Sequence, residues 1–238
     1  MLLWANDFCS VFWVAVVPAF AAVALLYFGI REEEKPSDTA RTNPIRRENI
    51  VRMPSAYWWV VGLGAVFTLA RFSEAFLVLK AQETGIPVAM VPLVMVAMSV
   101  VYSATAYPFG KLSDSVSHNK LLGWGLVMLI GANLLLAHGG LVSVFAGVGL
   151  WGVHMGMTQG LLAAMVADTA PSDLRGSAYG VFNLASGFAM LLASVVAGIV
   201  WERFGSFATF YVGAAFSLLS LTLIAVTPSS QSRKLPSR

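Results

Sequence analysis

The sequence predicts an all-α polytopic membrane protein of about seven transmembrane helices, on three observations. Of its 238 residues 58% are hydrophobic and only 11% charged, a composition that soluble domains do not have. Seven apolar runs follow one another, at 8–30, 57–79, 87–109, 120–138, 141–166, 177–200 and 205–227. Each is close to or beyond the roughly 20 residues a helix needs to cross a ~30 Å hydrocarbon core. Runs this continuous exclude a membrane β-barrel, whose strands alternate over about ten residues. The basic residues, finally, are sided, as threading the runs through a bilayer makes plain below.

The first run is not a secretory signal, because no Lys or Arg precedes it and Phe8 to Ile30 is longer than an export signal's apolar region. Its first charges follow it at Arg31, which places Met1 outside and Arg31 in the cytoplasm. Residues 31–56, with Arg31-Glu-Glu-Glu-Lys35, Pro36, Pro44, Arg46-Arg47-Glu48 and Arg52, carry both signs of charge and two early prolines. They read as a solvated cytoplasmic linker with at most one amphipathic turn near Ile45 to Val51. The expected organisation is a single helix over 1–30, the linker over 31–56, a six-helix bundle over 57–228 and a cytoplasmic tail over 229–238. Threaded from a cytoplasmic linker, the inner loops hold twelve basic residues, the outer loops only Lys80 and Arg203, and Arg71 alone lies within a span. That asymmetry obeys the positive-inside rule.

Arg71-Phe-Ser-Glu74 puts two charges inside the second run. Each costs about 2.5–3.5 kcal/mol near a helix centre, and each Leu, Val or Phe returns only about 0.3–0.6 kcal/mol. The pair is therefore expected to face the bundle interior or a watery cavity, on one helical face at i,i+3 spacing. A structural ion pair and a substrate or proton site are both open readings. His154 and Gln159, beside Trp151 in the fifth run, are the next polar group at membrane depth. Histidine suits a proton relay, and a hydrogen-bonded packing role suits it as well. Tyr102 and Tyr107 in the third run and Asn183 in the sixth add hydrogen-bonding groups. Gly152, Gly156 and Gly160 repeat on one face of the fifth run, and Gly176, Gly180, Gly187, Ser194 and Gly198 form a comparable seam in the sixth. Both read as helix-packing faces.

Several functions are excluded. The formal charge of +3 comes from basic residues scattered over loops rather than gathered into a stripe, so no nucleic-acid binding is expected. Cys9 is the one cysteine, read as an apolar filler, so neither a disulfide framework nor a cysteine metal site is expected. Gly147-Val-Gly149-Leu-Trp-Gly152 matches a dinucleotide fingerprint in letters, but it lies inside an apolar run where no strand precedes it. A retinal pigment needs a lysine within a span, and every lysine here lies in a loop or at a span end. An intramembrane protease needs a nucleophile with a positioned base, and Ser186 with His154 is only a loose candidate. The chain is read as a non-enzyme without cofactor or metal.

Gly110-Lys-Leu-Ser-Asp114, between the third and fourth runs, resembles the signature loop of major facilitator superfamily transporters, G-x-L-x-D-(basic)-x-G-(basic)-(basic). Ser115 stands where a basic residue is usual and Ser117-His118 where Gly-basic is usual, while Lys120 keeps a positive charge. Asp168-Thr-Ala-Pro171-Ser-Asp173-Leu-Arg175-Gly176 resembles the family's other C-half cytoplasmic turn. Locally Ser172 or Asp173 reads as a helix N-cap, with Asp168 placed to pair with Arg175. The resemblance implies that 57–227 is the six-helix C-terminal half of such a transporter and 8–30 the last helix of its N-terminal half. The other five helices of that half are then expected outside this sequence. It further implies transport of a small solute by alternating access, coupled to protons, in a bacterial inner membrane. Arg71 would face an anionic part of the substrate or hold Glu74. Glu74 and His154 would carry protons, with Gln159, Tyr102 and Asn183 lining the path. Gly110, Asp114, Lys120, Asp168, Arg175 and Gly176 would form the cytoplasmic gate. The other reading is a non-transporting membrane protein, either a degenerate half or a partner that docks on a full transporter.

Overall fold

The computed structural model describes residues 8–29 and 50–226, and no strand occurs among them. Expectations for the linker before residue 50 and for the 229–238 tail lie outside the described residues, as does the Cys9 side chain. Two compact units divide at residues 43 and 44. The first contains α1, Phe8–Gly29, a helix of 22 residues with Pro18 inside it. A membrane helix tolerates such a proline where its neighbours or solvent re-satisfy the freed carbonyl.

The second unit follows the apolar runs with one departure. The run predicted as a single helix over 57–79 is two half-helices, α2 (Ser55–Leu69) and α3 (Ala75–Glu83), separated by a non-helical break. Four long helices follow: α4 (Val91–Ser113), α5 (His118–His138), α6 (Leu141–Thr169) and α7 (Arg175–Phe204). The last is α8, Ser206–Val226. Five of these helices, α4 to α8, are individually long and apolar enough to cross a membrane. α2, with 15 residues, is apolar but shorter than the roughly 20 residues a crossing needs.

Glycine backbone makes the tight turns at one end of the bundle. Gly139 and Gly140, with φ of 78° and 86°, join α5 to α6, and Gly205, with φ of 86°, joins α7 to α8. These angles lie in the left-handed region that a Cβ disfavours. Inside the bundle α6 packs against α4 and α5, α5 also packs against α8, and α2 lies along α7. The larger core gathers Phe67, Phe72, Trp151 and Phe210 with the leucines of α5. A smaller one joins Met53, Tyr57 and Val61 to Val166, Leu174 and Phe182, and the buried Tyr57 hydroxyl donates to the carbonyl of Ala178 at 2.9 Å.

The two glycine seams part company. A Cβ on Gly152 would lie 2.7 Å from the carbonyl oxygen of Met98, and one on Gly156 would overlap Thr105, so these glycines let α6 meet α4 backbone to backbone. Gly160, Gly176, Gly180, Gly187 and Gly198 have nothing within 4 Å of such a position. Of the seam expected on α7, the glycines therefore meet no neighbour within this bundle, and only Ser194 touches another element, at the α2–α3 break. Half of the membrane-crossing stretch of α5 and of α6 is buried, against 17% for the α4 segment and 11% for the α7 segment.

Candidate functional site

The break between α2 and α3 organises the candidate site. The amide of Ala70 still bonds back to Val66 at 3.3 Å, but that of Arg71 bonds to Thr68 at 3.0 Å, a tightened last turn. The Ser73 amide then donates to the Ser194 hydroxyl on α7 at 3.1 Å, and α3 restarts with Phe76 bonding to Ser73 and Leu77 to Glu74. Arg71 thus lies in the break and Glu74 at the cap of α3, not on one continuous helical face as expected. No ion pair joins them; among the described residues the ion pairs are Arg52 with Asp173 and Lys80 with Glu83. Both charges are half-buried, and Arg71 acts electrostatically on Glu74 and on His154.

Phe72, between the two charges, anchors the break. Its ring lies 5.5 Å from Trp151, 5.3 Å from Phe76 and 5.7 Å from Phe210, the separations at which tilted aromatic pairs attract. Gly213 on α8 makes room for it, since a Cβ there would meet Phe72 at 2.7 Å and the side-chain oxygen of Asn133 at 2.8 Å. Around this hub three fully buried side chains keep an unpartnered polar atom: Asn133 Oδ1, Trp151 Nε1 and His154 Nε2. Asn133 donates through Nδ2 to Leu129 at 2.9 Å.

His154 sits deeper than a cavity-lining residue. It is 0% exposed, stacked on Phe67 at 5.4 Å and 13°, with Nδ1 2.8 Å from the carbonyl of Gly125. A carbonyl only accepts, so Nδ1 carries the proton and Nε2 is a bare acceptor. Tyr102 is half-buried against the main core, and Tyr107 is 80% exposed. Gln159 and Asn183 are exposed on long apolar helices. An amide against hydrocarbon is costly, so their faces are expected to meet water or another bundle.

At the other end, Gly110 to Ser113 form the last turn of α4 with Asp114 as its C-cap, so the motif is mostly helix rather than loop. Gly110, Asp114, Lys120, Asp168, Arg175 and Gly176 are all exposed. The pair expected between Asp168 and Arg175 does not form: Asp173 instead meets Arg52 at 3.2 Å, bridging the entry to α2 and the entry to α7. Nor does Ser172 or Asp173 cap α7 through its side chain; a 3-10 turn over Ser172–Leu174 leads into it.

Lys80, counted by sequence as a loop charge, is 6% exposed. Its ammonium donates to Ser206 Oγ at 2.8 Å and to Glu83 Oε2 at 3.0 Å, tying the end of α3 to the start of α8. Burial pushes the Glu83 carboxyl up, but hydrogen bonds from Ser206 and Lys80 and the Lys80 charge hold it below the ordinary carboxylate value. A carboxylate at the N-terminus of α8 also suits that helix's dipole.

Fold and site together define a polytopic helical membrane protein whose second apolar run is interrupted between Arg71 and Glu74. The sequence pattern of the Major Facilitator Superfamily matches residues 61–238. The chain belongs to that superfamily. It is 28% identical over 228 residues to an uncharacterized MFS-type transporter, MJ1317, of Methanocaldococcus jannaschii, an overlap of 92% of this chain and 55% of the relative. To the uncharacterized MFS-type transporter YuxJ of Bacillus subtilis it is 25% identical, over 90% of this chain and 57% of the relative. The chain therefore spans about half the length of these curated relatives. The crystal structure of the POT family transporter PepTSo superposes with a TM-score of 0.59 at 14% identity, over 73% of this chain and 37% of that one. At that identity the likeness speaks for the fold.

Proposed function

We propose that this chain forms one wall of a solute transporter that works by alternating access, coupled to protons. The observation that carries the reading is the break at Ala70–Glu74, which sets two charged side chains and unwound backbone inside an otherwise apolar run. Interrupted crossings of this kind supply ligands for anionic groups and for coupling ions. Arg71 is the group for an anionic part of a small substrate and Glu74 the proton carrier. His154, through its open Nε2, extends the path inward, and Tyr102, Gln159 and Asn183 line the face toward the substrate. A second helix bundle, the N-terminal half, supplies the facing wall. The weak burial of α4 and α7 and the open glycines of α7 support a partner on that side. Gly110, Asp114, Lys120, Asp168, Arg175 and Gly176 form the cytoplasmic gate, with linker and C-terminus in the cytoplasm and the bundle in a bacterial inner membrane.

The test is reconstitution. The intact protein in proteoliposomes is expected to accumulate one member of a panel of small organic anions when a pH gradient is imposed, and to stop when the gradient is dissipated. Uptake indifferent to the gradient removes the proton, and no uptake of any panel member favours the non-transporting reading.

A further inference from the structure

A cavity of about 260 Å³ opens between α7 and α8, lined by neither Arg71 nor Glu74, and reaches inward to the α2–α3 break. Its floor is buried: Phe72, Ala193 and Ala197 are 4%, 8% and 3% exposed. Its rim is open, with Leu192 and Val196 of α7 and Phe216 of α8 at 45%, 43% and 38%. The lining is apolar apart from Thr209, whose hydroxyl already donates to the carbonyl of Ala197 at 3.3 Å. Nothing in it receives a water, a headgroup or a charged solute.

Depth decides what stands at the mouth. At about 1.5 Å per residue, Ala197 and Leu192 lie roughly 12 and 20 Å along α7 from the Gly205 turn, well inside a hydrocarbon core ~30 Å thick. An apolar cavity of about 150 Å³ stays dry and takes apolar guests, and an empty one forfeits the dispersion contacts of its walls. We propose that the groove between α7 and α8 binds one acyl chain of a membrane phospholipid, its end resting on the ring of Phe72. The occupant would pack beside the break that holds Arg71 without touching that charge.

The intact protein in phospholipid vesicles, doped with a phospholipid carrying a diazirine close to the end of one acyl chain, tests this. After photolysis, adducts are expected on the buried floor at Phe72, diminishing as unlabelled phospholipid is added in excess. Ala193→Phe, which fills the cavity, is expected to reduce floor adducts to background while adducts on outward-facing α4 residues persist. Ala197→Leu is a second filling variant, and a retained cooperative melting transition identifies which variant is folded. Adducts confined to outward-facing residues, or floor adducts unchanged in a folded filled variant, overturn the proposal. None of these readouts depends on transport.

Discussion

Arg71→Gln in the intact protein is expected to lower uptake by roughly 30-fold or more. Arg71 makes no ion pair among the described residues, yet it lies half-buried in a break at membrane depth, where its charge has Glu74 as an electrostatic partner. Losing a hydrogen bond to a charged group, here the one proposed between Arg71 and an anionic part of the substrate, costs about 1.5–3 kcal/mol, and each ~1.4 kcal/mol is a factor of ten. Joint neutralisation separates the two readings of the pair. If the two residues form only a structural pair, the Arg71→Gln, Glu74→Gln double variant removes the unbalanced charge and uptake recovers. If Arg71 holds the substrate or Glu74 carries the proton, the double variant stays inactive. Asp114→Ala is expected to slow uptake by loosening the cytoplasmic gate without altering which solute is taken. Uptake unchanged in both the double variant and Asp114→Ala contradicts the proposed pathway and gate together.

Gly213→Leu is expected to destabilise the fold of the bundle markedly. The added Cβ alone would lie 2.7 Å from Phe72 and 2.8 Å from Asn133, and neither neighbour has room to retreat. Phe72 is held by Trp151, Phe76 and Phe210, and Asn133 by its bond to Leu129. Overpacking of this kind costs about 1–3 kcal/mol and sometimes more, or roughly 2–4 °C of melting temperature per kcal/mol in a chain of this size. Gly62→Leu, where nothing lies within 4 Å of the new Cβ, is the control and is expected to melt like the unsubstituted protein. A Gly213→Leu protein that melts with the control contradicts the packing of the break against α8.

The spans were legible because membrane crossing is written in continuous hydrophobicity, and α4 to α8 follow the predicted runs to within a few residues. The break was not. Thr68-Leu-Ala-Arg-Phe-Ser-Glu-Ala75 contains neither proline nor glycine, and what stops the helix is tertiary: a serine on α7 takes the Ser73 amide, and the aromatic hub takes Phe72. The charges themselves were legible, since Arg71 and Glu74 stand out in an apolar run at a cost that demands a reason. Periodicity identified both glycine faces but not their partners, so Gly152 and Gly156 pack inside while Gly176, Gly180 and Gly187 do not. Arg52 and Asp173 lie 121 residues apart, and Lys80 finds Ser206 at a distance of 126. Local spacing carries no signal for either. Asn133, a polar residue inside the fourth run, was missed in the sequence, and only the fold places it near Phe72 of the break.

The central claim is that the break and the faces of Gln159 and Asn183 meet water inside the membrane while the α7–α8 groove meets hydrocarbon. With Cys9, the sole cysteine of these 238 residues, and any cysteine outside them replaced by serine, single cysteines at Glu74, Asn183 and Val196 in the intact protein can be challenged with a membrane-impermeant thiol reagent, which needs a hydrated thiolate. Glu74→Cys and Asn183→Cys are expected to react, and Val196→Cys to stay silent until the protein is denatured. A silent Glu74→Cys and Asn183→Cys beside a reactive Val196→Cys would contradict the account.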